Sequence, residues 1–316
     1  MKYFITGGAG FIGSHLVDRL IEKGDFVTAY DNLSFGKKEY LQHHFNNPKF
    51  KLIQGDILDL NALKPSVAGH DFIFHLAANS DIMRGMKDPA LDFEMGVRAT
   101  FNVLEAMREL SIKSLVYLSG SGVYGDYGEK ILEESSGAVF PQSMYGAAKL
   151  ASEGMVSAYS HLYEIQAWIF RPANIIGPRP THGVIYDFIQ KLKNNPRRLE
   201  VLGDGTQSKS YIHVEDLLDA VFFAIKHALD PVNTFNVASE TVMDVRTIAE
   251  AVIQTMRLSG VVVHYGKENR GWKGDIPKVR LSIQKLKSLG WKPKFSSREA
   301  VVETIREILK NTVSGA

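Results

Sequence analysis

The sequence predicts an α/β fold built on a doubly wound, Rossmann-type parallel sheet, with a smaller, mixed C-terminal lobe. Three observations predict it. Short apolar runs alternate with helix-length amphipathic stretches, a glycine-rich turn follows the first run at once, and an acidic residue closes the second.

The first run, Tyr3–Ile5, is too short for a helix and reads as a strand buried on both faces. Gly7-Gly8-Ala9-Gly10-Phe11-Ile12-Gly13 follows, and helical spacing then runs from Ser14 to Glu22. The runs Phe26–Tyr30, Leu52–Ile53, Phe72–Leu76, Leu115–Leu118, Trp168–Phe170 and Phe235–Val237 repeat the strand pattern. Between them, Val97, Phe101 and Leu104, and later Leu217, Val221 and Ile225, recur at helical spacing. Beyond about residue 171 the regularity falls, and Gly177–Pro180, Gly203–Gly205 and Gly271–Pro277 mark loops around a second lobe. The expected division is a dinucleotide-binding domain over residues 1–170 that also receives 212–240, and a substrate lobe over 171–211 and 241–316.

Composition narrows the function. The 316 residues, 45% of them apolar, suffice for a sizeable core. Lysine and arginine (37) are interspersed with 35 acidic residues for a net charge of +2, so there is no basic block of the kind a nucleic-acid partner needs. The absence of cysteine excludes disulfides, thiolate metal sites and a thiol nucleophile. No window reaches the roughly 20 apolar residues of a membrane span, and Met1 leads directly into a strand pattern, so a cytoplasmic protein with no membrane partner is expected. His75, His213 and the pair His43-His44 show no metal-ligand spacing, and no metal is expected. Trp168, Trp272 and Trp291 read as packing residues, and the Met and aromatic content of residues 83–107 as a buried helix face.

Glycines at a strand-to-helix turn let the backbone approach a diphosphate, while the helix N-terminus offers free N–H donors and a positive dipole end. Gly7, Gly10, Phe11, Ile12 and Gly13 are therefore candidate dinucleotide contacts. Asp31, 18 residues after Gly13, can accept from an adenosine ribose and would repel a 2′-phosphate, which favours NAD over NADP. Asp56-Ile57, after the third strand, is a candidate for the adenine edge.

Tyr145 and Lys149 stand four apart at the start of a helical stretch (Tyr145 to Tyr159) and so share one face. A free tyrosine is ionised in about one molecule in a thousand at pH 7, and moving its pKa to neutrality takes roughly 4 kcal/mol. A neighbouring ammonium and a positive nicotinamide ring are the groups that could supply it. A phenol so tuned takes a proton from a hydroxyl as hydride leaves the same carbon.

These residues, with Asp31-Asn32-Leu33-Ser34, His75-Leu76-Ala77-Ala78, Val123-Tyr124-Gly125, Arg171-Pro172-Ala173-Asn174, Gly203-Asp204-Gly205 and Leu289-Gly290-Trp291, make the chain resemble the extended short-chain dehydrogenases, and among them the nucleotide-sugar epimerases, over nearly its whole length. The resemblance implies oxidation of a sugar C4 hydroxyl, rotation of the 4-ketosugar and reduction from the opposite face, with NAD recycled in one turnover. It implies Tyr145 as base and Lys149 as its partner. Asn32, Ser34, Leu76, Ala77, Ala78 and Lys149 join the NAD contacts. A UDP-sugar would meet Asn174 and Lys209 at the diphosphate and Val201, within Leu199–Gly205, near the base. Arg270 falls to the pyrophosphate and Asp275 to the ribose. Lys209 stands where relatives often carry Arg, a point charge in place of a fork. A homodimer, through the 83–107 helix and the Tyr145 helix, is implied by the same analogy.

One position departs from the pattern. Four residues before Tyr124, where relatives place Ser or Thr, stands Gly120, flanked by Ser119 and Ser121. Either Ser121 or a water takes over the relay, or turnover is slower, or the protein binds without epimerising. Ser121 and Gly122 occupy the places where related dehydratases and decarboxylases carry acids, which leaves epimerisation as the expected reaction. UDP-glucose and UDP-galactose are the first substrate pair to consider. The alternatives are a UDP-uronic acid or UDP-N-acetylhexosamine epimerase, a related oxidoreductase, or a non-catalytic binder.

Overall fold

The computed structural model describes residues 1–137 and 139–313. The described residues form two compact units, one of residues 1–123, 143–171 and 222–235, the other of 124–137, 139–142, 172–221 and 236–313.

The first unit is organised by a seven-stranded sheet of β1 (Lys2–Thr6), β2 (Phe26–Asp31), β3 (Phe50–Gln54), β4 (Phe72–His75), β5 (Ser114–Leu118), β6 (Gln166–Pro172) and β7 (Val232–Val237). Its order is β3-β2-β1-β4-β5-β6-β7, so the winding direction reverses between β1 and β4. Pairing from β3 to β6 is parallel throughout. The register aligns Thr6 with both Tyr30 and His75, and His75 with Tyr117, so the carboxyl ends of the central strands finish level. Doubly wound sheets bind ligands at such a switch point.

The helices α1 (Phe11–Glu22), α2 (Leu60–Val67), α3 (Ala99–Glu109) and α4 (Met144–Tyr163) supply crossovers. Phe4, Ile73, Leu115 and Ile169 from the strands meet Leu63, Val103, Met107 and Val156 from the helices in one buried cluster. Each such side chain contributes about 1.5–3 kcal/mol when fully buried. Ser143 caps α4, its hydroxyl accepting from Gly146 N at 3.1 Å.

The stretch 83–107 departs from the buried face expected of it. Helix Ile82–Lys87 stops, Pro89 opens the short helix Pro89–Asp92, and a π-turn, Phe93–Arg98, leads into α3. Met83 and Met86 on the first short helix, Phe93 in the π-turn and Phe101 on α3 are exposed. At that turn the Gly96 carbonyl accepts the hydroxyls of Thr100 (2.6 Å) and of Ser152 on α4 (3.2 Å).

In the second unit, Met243–Asp244, Ser208–Lys209, Lys278–Leu281 and Ile131–Leu132 form a four-stranded mixed sheet in that order. Asn174–Ile176 pairs with Tyr211–His213, and Arg198–Val201 with Val262–Tyr265, both in parallel. Phe188, Ile189, Ile248, Val252, Val301 and Ile305 fill its core. Residues 124–142, placed by sequence in the first domain, belong here because Ile131 and Leu132 are strand partners of Arg280 and Leu281. Among the described residues no helix is long and apolar enough to cross a membrane.

Candidate active site

The glycine turn joins β1 to α1 within van der Waals limits that exclude side chains. Gly7 has φ +70°, and a Cβ there would lie 2.9 Å from Ala77 N. A Cβ on Gly13 would lie 2.2 Å from Gly7 O. Gly10, the N-cap of α1, differs: its Cβ would meet only Gly7 O, at 3.2 Å. No side chain caps α1 and no acid stands in its first turn, so its dipole is left for an outside anion. The turn fits a dinucleotide diphosphate, with the N–H groups of Phe11, Ile12 and Gly13 at the helix start to receive it. Gly13→Ala is expected to destabilise the unit by about 1–3 kcal/mol and to weaken NAD binding, read by thermal melts with and without the cofactor.

Asp31 ends β2 almost fully buried. Its two oxygens accept from Leu33 N (2.8 Å) and Ala9 N (3.0 Å), and burial pushes its carboxyl pKa up against the pull of those bonds. The carboxylate braces the glycine turn through the Ala9 amide. Asn32 Oδ1 accepts from both the amide and the hydroxyl of Ser34. Asp56 is exposed and accepts from Leu58 N, whereas Ile57 is buried, its carbonyl receiving Asn102 Nδ2. Leu76 and Ala77 donate to Thr6 Oγ1, each at 3.2 Å, which places the 76–78 segment against Gly7.

His75 is explained by the same network. Thr100 Oγ1 gives its proton to Gly96 O, so it must accept from His75 Nε2 (3.0 Å), and Nδ1 then accepts from Thr6 Oγ1 (2.8 Å). Burial, with Lys149 nearby, pushes the imidazole pKa down to about 3, so it is neutral at working pH. Its role is to tie the sheet to the π-turn.

On α4, Lys149 Nζ donates to Leu118 O at 2.6 Å, lies 5.8 Å from the Tyr145 ring centre, and is held down to about 8 by burial, with Glu153 opposing. Glu153, one turn further on, receives the guanidinium of Arg171 at 2.9 and 2.5 Å, and both are buried. The Tyr145 ring is half-buried but its hydroxyl lies deep. Burial, then the charge of Asp92, pushes its pKa up to about 12. Lysine proximity alone therefore does not lower the phenol, and any lowering must come with bound cofactor and substrate.

A small cavity brings Tyr145 and Lys149 together with Ala78, Asn79, Asp92 and Gly96. Asp92 is buried, accepts from Asn79 Nδ2 at 2.8 Å, and has its own pKa raised by burial. Its negative charge works against the Tyr145 phenolate. Asp92→Asn removes that charge, so the Tyr145 pKa should fall and the acid limb of a kcat pH profile should move to lower pH. An unmoved limb would exclude the coupling.

Positions 120 and 122 face Tyr145, and both are glycine. A Cβ on Gly120 would lie 3.8 Å from the Tyr145 hydroxyl, and one on Gly122 3.9 Å from the ring. Ser121 opens the 3-10 turn Ser121–Val123 and is half-buried. Ser119 is buried, and its hydroxyl finds no hydrogen-bond partner among the described residues.

Among the proposed substrate residues, the second unit gathers Lys209, Arg270 and Asp275. Lys209 Nζ meets Asp275 Oδ1 at 2.6 Å, and Arg270 donates to Asp275 O (3.1 Å) and Asp126 Oδ2 (2.9 Å). Both cations thus already hold a carboxylate. Asn174 opens its strand, its amide donating to Ser210 O, while Val201 is buried in the strand paired with Val262–Tyr265.

Sequence reading missed Asn79, Asp92, Glu153, Asp126 and Ser119. Two signals were present: Asn79 directly follows the 75–78 motif, and Glu153 is one helical turn from Lys149. Asp92 carried none, since its meeting with Tyr145 depends on tertiary packing.

Residues 3–238 match the family model described as the NAD dependent epimerase/dehydratase family. The UDP-glucose 4-epimerase of Mycolicibacterium smegmatis is 32% identical over 98% of this chain and 99% of its own. UDP-glucuronic acid decarboxylase 1 of Arabidopsis thaliana is 32% identical over 97% of this chain and 69% of its own. A solved UDP-galactose 4-epimerase is 38% identical and superposes with a TM-score of 0.88, covering 98% of this chain and 99% of that one.

Proposed function

The chain belongs to the NAD dependent epimerase/dehydratase family, and from that premise we propose that it interconverts the C4 epimers of a UDP-sugar, UDP-glucose and UDP-galactose being the pair to test first. It is an NAD-dependent nucleotide-sugar epimerase; the identity of the sugar is the proposal. The observation that carries the reading is Tyr145 and Lys149 on one face of α4, in a cavity shared with Ala78 of the β4 end.

NAD, which the glycine turn and Asp31 would hold, would supply a reversible hydride acceptor for C4. The chain's own residues do the rest. Tyr145 removes the O4 proton and gives it back, and Lys149, protonated below about pH 8, favours the phenolate. Asn174, Lys209 and Arg270 would hold the diphosphate, Asp275 the ribose, and Val201 would lie near the base. Ser121 and Gly122 put no carboxylate beside C5, which favours epimerisation over decarboxylation or dehydration. The exposed Phe93 and Phe101 suit a homodimer face, checked by light scattering on the purified protein.

The test is proton NMR of the anomeric signal of UDP-galactose with added NAD. Conversion to UDP-glucose supports the proposal. If UDP-galactose, UDP-glucuronate and UDP-N-acetylglucosamine all remain unchanged, the epimerase reading fails. Gly120→Ser separates the readings of the missing hydroxyl. A Cβ fits there at van der Waals distance from Tyr145, so the variant should fold and, if a positioned hydroxyl is what the site lacks, turn over faster. An unchanged rate together with a loss of activity in Ser121→Ala would assign the relay to Ser121.

A further inference from the structure

We propose that Asp18, His43 and His44 form a binding site for a divalent transition-metal ion, with zinc the leading candidate, built into the dinucleotide-binding unit. Asp18 stands on α1, and the two histidines close the 3-10 turn Gln42–His44. Both imidazoles point their Nε2 atoms at one carboxylate oxygen, Asp18 Oδ1, from 2.9 Å (His43) and 2.7 Å (His44). All three ligand atoms lie within 4.8 Å of one another.

Neighbouring residues in an extended segment point apart, but the 3-10 turn sets these two rings only 4.0 Å apart, centre to centre, with their tips converging. Tetrahedral zinc holds its ligands at about 2.0–2.2 Å, which spaces the ligand atoms about 3.3 Å from each other. Each imidazole Nε2 therefore needs to part from the carboxylate oxygen by roughly half an ångström to admit an ion. Two imidazoles and one carboxylate, with no thiolate, suit zinc, nickel or copper better than magnesium or calcium, which prefer oxygen donors. His44 is nearly buried and rests on Phe50, which anchors the site, while the His43 side chain is 48% exposed and opens it to solvent. Three protein ligands leave a fourth position for water.

The site has a mechanical consequence. The stretch 32–41 leaves Asp31, is tied to the glycine turn where Lys37 N donates to Ala9 O, and ends at the histidine turn. A metal at Asp18 would fasten the far end of that stretch to α1. The ion takes no part in the chemistry at Tyr145. Its effect is to stiffen the segment that follows the proposed ribose carboxylate.

The test uses the full chain, stripped with a chelator and then titrated with zinc chloride against a chromophoric chelator, with cobalt(II) absorption as a second probe. One zinc equivalent should bind and raise the thermal midpoint. Asp18→Asn and His43→Gln should each weaken binding about tenfold or more, since even outer-sphere changes cost that much at metal sites, and His44→Ala should abolish it. If His44→Ala fails to fold, the two more exposed variants decide. No bound equivalent, or an equivalent bound equally well by Asp18→Asn and His43→Gln, would overturn the proposal and leave the cluster as two imidazoles hydrogen-bonded to one carboxylate.

Discussion

Tyr145→Phe should lower kcat by about 10²–10⁴-fold, the usual worth of a positioned proton-transfer group, while leaving the NAD-binding constant within error. The two effects separate because the ring and the hydroxyl do different work. The ring is half-buried beside Gly120 and Gly122, and phenylalanine fills the same space. The hydroxyl, pushed up to about 12 by burial and by Asp92, is the group proposed to ionise. Single-turnover measurement with NMR detection reads the chemistry, and a fluorescence titration reads cofactor affinity. Equal losses in both would mean that Tyr145 only shapes the cofactor pocket.

Arg171→Met carries the largest expected cost in stability, about 3–5 kcal/mol, because it leaves the Glu153 carboxylate buried without its ionic partner. Adding Glu153→Met should recover most of the loss, since a buried ion pair replaced by apolar groups of similar volume is often neutral. The double variant is informative in a second way. Glu153 holds the Lys149 pKa up against burial, so without it Lys149 loses its proton at lower pH. A stable protein whose kcat falls off earlier on the alkaline side would assign the pair to the tuning of Lys149. A double variant as unstable as the single one would show that the site cannot accept apolar packing.

The sheet was legible because strands buried in a parallel sheet tend to leave unbroken apolar runs, and six of the seven runs read from the sequence lie wholly in strands, while Phe72–Leu76 overruns β4 by one residue. The glycine turn was legible for a different reason: backbone contacts at 2.2 and 2.9 Å admit no other residue at Gly13 and Gly7, so the constraint is written in the sequence itself. Helix ends were less legible. α1 starts at Phe11, three residues before the apolar spacing becomes regular, and α4 runs four residues past Tyr159. Where function depends on residues distant in sequence, the pattern was silent. Asp92 reaches Tyr145 only through the helix break at Pro89, and Asp18 meets His43 across 25 residues. Residues 124–142 join the second unit through a two-residue strand and long-range contacts such as Asp126 with Arg270, neither of which leaves a periodic signal.

The close approach of Gly96 to α4 bears on how such a chain can diversify. A Cβ at position 96 would lie 2.7 Å from the Ala148 methyl group, beside the carbonyl that anchors Thr100 and Ser152. A side chain at 96 therefore requires Ala148, on the Tyr145 helix, to shift or to shrink. The effect of a substitution at 96 thus depends on the residue at 148, and this wall of the cavity can be reshaped only by treating the two positions as a pair.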